Sequence, residues 1–168
     1  MTTLLATFLQ NAPVAFALLA VACVGLVVVG LQLTVIDWRT HRLPDRIVLP
    51  CYPAATVLLG TAAGAAGEWH RIVGMLGGTA AMFVGFAVLH LVNRRGLGLG
   101  DVKLAGVLGL YLGFVGWPLV WWGPFLAVLL GGGWSIALIL LKRATASSHI
   151  AFGPFLIAGA GLALAVLR

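Results

Sequence analysis

Asp101 stands behind two glycines in Gly98-Leu99-Gly100-Asp101-Val102-Lys103, at the start of a hydrophobic run, and Asp37 closes an earlier one; they are two of only four acidic residues in the chain. Two carboxylates so placed suit general acid/base chemistry around one water. The ionised group takes a proton from water and the neutral one donates to a substrate carbonyl, with no metal, cofactor or covalent intermediate. Burying a carboxylate in a membrane helix costs about 3 kcal/mol on insertion scales, so a pair kept on one face implies a role. Asp45 reads differently. It follows Pro44 where another hydrophobic run begins and is expected to cap that helix, a task Asn does equally well, so Asp45→Asn should be mild. Gly98 and Gly100 are expected to let the backbone turn sharply and expose the acid. Lys103, two positions after Asp101, diverges from it on a helix and is free to bias the local potential or reach lipid phosphate.

The elements that must hold these groups follow from composition. With 62% hydrophobic and 8% charged residues, the chain is too apolar to clothe a soluble core and reads as an all-α polytopic membrane protein. Apolar runs of near-spanning length recur six times, near 14–36, 47–67, 72–92, 102–116, 119–141 and 150–167. The fourth is short for a span. One integral-membrane domain over 1–168 is expected, with functional loops at about 37–46 and 94–103. No Lys or Arg precedes Arg39, so the first run is expected to remain as a helix rather than be removed as a signal peptide. Gly106, Gly109 and Gly113 share one helix face, which predicts a central, closely packed fourth helix. Gly131-Gly132-Gly133 predicts a hinge or a close contact in the fifth.

Charge sets the orientation. Arg39, Arg42, Arg46, Arg94, Arg95, Lys103, Lys142 and Arg143 fall on one face and only Arg71 and Arg168 on the other. The crowded face is therefore expected in the cytoplasm, with both termini outside and Asp37, Asp45 and Asp101 on the cytoplasmic side. The net charge of +6 is spread thinly beside apolar helices with no aromatic-interleaved basic patch, which argues for membrane lipid as partner and against nucleic acid. Cys23 and Cys51 have no CxxC spacing, and four scattered His make no metal site. His41 and Arg42 are expected on a solvated loop, and His90 and His149 near helix ends.

The stretch from Gly98 to Leu104, followed by Gly106, Gly109 and Gly113, resembles the GxGD signature of type IV prepilin peptidases. The segment Asp37-Trp38-Arg39-Thr40-His41-Arg42-Leu43-Pro44-Asp45 resembles the first aspartate loop of that family, and Ile150-Ala151-Phe152-Gly153-Pro154-Phe155 is similar to a third family stretch, with Ala151 where proline is common. The resemblance implies a membrane aspartic endopeptidase that removes the basic leader of prepilin or pseudopilin substrates at the cytoplasmic face of the inner membrane. It carries Asp37 and Asp101 over as the catalytic pair, with Gly98, Gly100, Lys103, Pro44 and Asp45 as supporting residues. The chain looks like the short, peptidase-only members that serve tight-adherence (Flp) pili or archaeal preflagellins, so N-methyltransferase activity is not expected. The rival class is a small transporter or proton-pathway subunit using the same carboxylates, which would place them near mid-membrane. Between the two acids, helix-terminus charge is expected to send the shared proton to Asp37, at the end of the first helix, and leave Asp101, at the start of the fourth, as the base.

Overall fold

The computed structural model describes residues 8–9, 12–40, 43–93, 96–141 and 151–166. Among the described residues six helices of defined bounds follow one another: α1 (Pro13–Thr40), α2 (Asp45–Ala65), α3 (His70–Val92), α4 (Leu99–Val115), α5 (Trp117–Leu140) and α6 (Gly153–Val166). α1, α2, α3 and α5 are long and apolar enough to cross a membrane, while α4 has 17 residues and α6 has 14. The chain is an all-α, multi-pass membrane protein. Each of the six expected runs coincides with a helix among the described residues, but α1 does not stop at Ile36: it continues through Asp37 to Thr40, so Asp37 sits inside a helix rather than in a loop.

α4 is the core of the bundle, and every residue from Leu104 to Phe114 is buried. It packs most extensively on α3, and glycine makes that contact possible. A methyl group on Gly109 would lie 2.5 Å from the Gly78 carbonyl oxygen, and one on Gly78 would lie 2.6 Å from that of Gly109. Backbones this close gain dispersion contacts that lipid tails cannot match. Gly106 belongs to another contact, described below. α5 and α6 form the second large pair, with Gly159 against the backbone of Ala127 at 2.5 Å from a would-be methyl. The Gly131–Gly133 tract leaves α5 unbroken: Gly131 meets Phe155 of α6, whereas Gly132 and Gly133 have nothing within 4 Å.

The helix ends are fixed by local chemistry. Leu43 and Pro44 are non-helical, as a proline there requires of the residue before it. α2 ends at Ala65 and the chain turns at Gly67, whose φ of +71° suits a residue without Cβ, while the amides of Gly67 and Glu68 donate back to the carbonyls of Gly64 and Ala63. At this end Arg71 pairs with Glu68 and donates to the Phe114 carbonyl at 2.9 Å, which neutralises the negative end of α4. The opposite end gathers the last turns of α1 and α3 and the first turns of α2, α4 and α6. His41, Arg42, Arg94, Arg95, Lys142, Arg143, His149 and Arg168 lie outside the described residues.

Candidate active site

The two aspartates, 64 positions apart in sequence, meet at the start of α6. Both are buried, at 5% and 8% exposure for Asp37 and Asp101, in a bundle whose other buried side chains are apolar among the described residues. Gly153, the first residue of α6, lies against both of them: a methyl placed on its Cα would be 2.7 Å from Asp37 Oδ2 and 3.5 Å from Asp101 Oδ1. Its backbone N–H donates to Asp37 Oδ2 at 3.2 Å. Asp101, third in α4, accepts the Gly98 N–H on Oδ2 at 3.2 Å, the side-chain half of a capping box.

This geometry corrects the reading from single helices. Asp37 does belong to the last turn of α1, but its carboxylate also accepts an N–H at the N-terminus of α6, so each aspartate accepts a helix-terminal N–H and helix-terminus charge alone does not separate the two. Asp101 lies outside the four helices long enough to span. Burial, with the neighbouring Asp37 charge second, pushes its carboxyl up to about 6 against the opposing Gly98 hydrogen bond.

The supporting residues surround an open cleft of about 860 Å³ lined by Asp37, Asp101, Leu43, Arg46, Leu99 and Lys103 among others. Gly98 is extended at φ −74°, ψ 151°, a conformation open to any residue, so no sharp turn depends on it. Gly100 matters for proximity instead, since a methyl there would lie 2.8 Å from Leu43 Cβ. Pro44, not Asp45, is the N-cap of α2, and no side chain caps that helix. The Asp45 carboxylate is engaged elsewhere: Lys103 Nζ donates to both its oxygens at 2.7 Å. Lys103 therefore pairs across helices and away from Asp101. His90 Nδ1 donates to the Leu97 carbonyl at 2.6 Å and ties the last turn of α3 to the approach to α4.

Two contributors were not among the site residues read from the sequence, although Gly153 lies in the third family-like stretch. Gly153 carried a signal in the Gly-Pro pair opening an apolar run, a helix-start pattern, but nothing local says which side chain it will face. Tyr52 had no signal beyond a lone phenol in a hydrophobic helix. Among the described residues no three His, Cys, Asp or Glu gather closely enough to hold a metal ion.

Fold and site together define a polytopic helical membrane protein with a paired-aspartate centre at one end of the bundle. The chain belongs to the type IV leader peptidase family, whose profile matches residues 24–166. It is similar to the prepilin leader peptidase/N-methyltransferase of Escherichia coli strain K12, with 34% identity over 139 residues, 82% of this chain and 59% of that protein. The prepilin leader peptidase/N-methyltransferase of Aeromonas hydrophila is 32% identical over 133 residues, 79% of this chain and 44% of the relative. The leader peptidase HopD of Salmonella typhimurium strain LT2 is 31% identical over 133 residues, 76% of this chain and 81% of the relative. The chain thus spans about half the length of the first two relatives. No solved structure matches it.

Proposed function

We propose that this chain is an aspartic endopeptidase that removes the basic leader of prepilin or pseudopilin substrates, with Asp37 and Asp101 as its catalytic pair in one integral-membrane domain. The observation that carries the reading is the convergence of both carboxylates on Gly153 beside an open cleft. Two buried carboxylates that meet on one glycine cannot readily both be ionised, so the working form has one proton. Burial and the Asp37 charge raise the Asp101 carboxyl, which favours the proton on Asp101 and the role of base for Asp37. Asp37 accepts a proton from water as the water oxygen attacks the scissile carbonyl, and Asp101 donates its proton to the carbonyl oxygen. The tetrahedral diol then collapses: Asp37 passes its proton to the leaving amine while one diol hydroxyl returns a proton to Asp101 as the new carbonyl forms. The pair returns to one proton, and a peptide bond has been exchanged for the two ends of water.

The cleft opens at the end of the bundle where the expected cytoplasmic cations cluster, which favours processing at the cytoplasmic face of the inner membrane and both termini outside. Carboxylates at a helix end, rather than along the middle of a bundle, weigh against a proton-pathway subunit. The test is incubation of the purified chain in detergent with a prepilin bearing a basic leader. A loss of mass equal to the leader is expected, and an intact substrate beside a folded, monodisperse chain would overturn the reading.

A further inference from the structure

We infer that Tyr52 and Asp45 on α2 are positioning residues that grip Lys103 at both ends and thereby set the rotation of α4 that aims Asp101 at Asp37. Asp45 takes the Lys103 ammonium, both carboxylate oxygens lying 2.7 Å from Nζ, and the Tyr52 hydroxyl donates to the Lys103 carbonyl at 2.7 Å. The two α2 residues are seven positions apart, about two helical turns, and so share a face. Gly106 completes the arrangement. The Tyr52 hydroxyl occupies the space a methyl on Gly106 would need, so this glycine makes room for α2 beside Phe83 of α3, while Gly109 and Gly113 meet the α3 backbone.

Residues two apart on a helix point about 200° from each other, so the grip on Lys103 acts on the side of α4 away from Asp101. A rotation of about 20° would carry a carboxylate about 6 Å from the helix axis through roughly 2 Å. Misplacement by about 1 Å can cost 10²-fold in rate. Arg71 holds the far end of α4 through the Phe114 carbonyl, thirteen residues from Asp101, whereas the Tyr52 and Asp45 contacts act two residues from it. The ion pair alone would be weak, since Asp45 and Lys103 side chains are 55% and 31% exposed. The part-buried Tyr52 bond to the main chain, next to the ion pair, is what fixes the register.

The inference rests on the peptidase reading for its kinetic arm only. The full chain in detergent is compared with Tyr52→Phe, Asp45→Asn, Lys103→Met and the exchange Asp45→Lys/Lys103→Asp. Two measurements are made: cleavage of a prepilin with a basic leader, and amide hydrogen exchange along α4. Tyr52→Phe, which changes no charge, should lower kcat about tenfold with KM within about twofold, and exchange over 98–104 should quicken about tenfold while 109–113 stays protected. Asp45→Asn and Lys103→Met should move the same way, and the exchanged pair should recover part of the loss. Wild-type kcat and protection in Tyr52→Phe would overturn the inference. So would uniform acceleration of exchange along α4 with unchanged kcat per folded molecule, or an exchanged pair no better than its worse single variant. The exchange measurement needs no substrate, so quickened exchange over 98–104 in a chain that cleaves no prepilin supports the positioning role and overturns only the peptidase reading.

Discussion

The backbone N–H of Gly153 reaches across 116 residues of chain to hold Asp37 Oδ2 at 3.2 Å, with the bare Cα of the same glycine facing Asp101. One residue thus supplies a hydrogen bond and the room for two carboxylates to meet. In Gly153→Ala the new methyl would lie 2.7 Å from Asp37 Oδ2, inside van der Waals contact. Asp37 must move, and leader cleavage should fall roughly 10- to 100-fold with little loss of folded protein. Full activity of the purified variant would show that the site tolerates a wider pair.

Asp37→Asn and Asp101→Asn should each lower cleavage by at least about 10³-fold while membrane insertion and thermal unfolding stay near wild type. An amide is nearly isosteric but cannot exchange the proton the mechanism needs. Cleavage of a purified prepilin by each variant decides it, and near-normal turnover by Asp101→Asn would remove the pair from the mechanism.

The pH profile follows from the raised Asp101 carboxyl. A group with a pKa near 6 keeps its proton below that pH and loses it above, so the singly protonated pair disappears as pH rises. The value of kcat/KM should therefore fall on the alkaline side of about pH 6, approaching tenfold per pH unit, with an apparent pKa that belongs to the pair. Infrared difference spectra should show a protonated carboxyl band at rest that Asp101→Asn abolishes. A band lost with Asp37→Asn instead would restore the assignment expected from single helix termini.

Packing predicts opposite outcomes for two glycines. Gly109→Ala pushes a methyl to 2.5 Å from the Gly78 carbonyl and should lower the unfolding temperature in detergent by several degrees, whereas Gly132, with nothing within 4 Å, should tolerate alanine without loss. The gain there is of the order of 0.5–1 kcal/mol from helix propensity. Equal effects at the two sites would contradict the α3–α4 contact.

Orientation is read by labelling. With Cys23 and Cys51 replaced, cysteines are placed at Val92, 81% exposed at the site end, and at Trp69, 67% exposed at the other. An impermeant thiol reagent added to intact cells should label the second, and the first only after the inner face is opened. The reverse pattern would turn the cleft outward.

The sequence by itself determined the six apolar helices, their order and the two aspartates worth asking about. Hydrophobic runs of near-spanning length leave the backbone no option but to satisfy its own hydrogen bonds. Charge is so scarce in this chain that each acid stands out. The tertiary structure alone decided how those acids are used. A local pattern reports which face of a helix is small or apolar, but not which partner the face will meet, and that depends on packing among distant segments. So Asp45, which reads as a cap, is spent on Lys103, and Gly106, which reads as one of three packing glycines, makes room for Tyr52. Asp37, which reads as the end of one helix, is held by the start of another, because a carboxylate answers to the nearest N–H in space rather than in sequence.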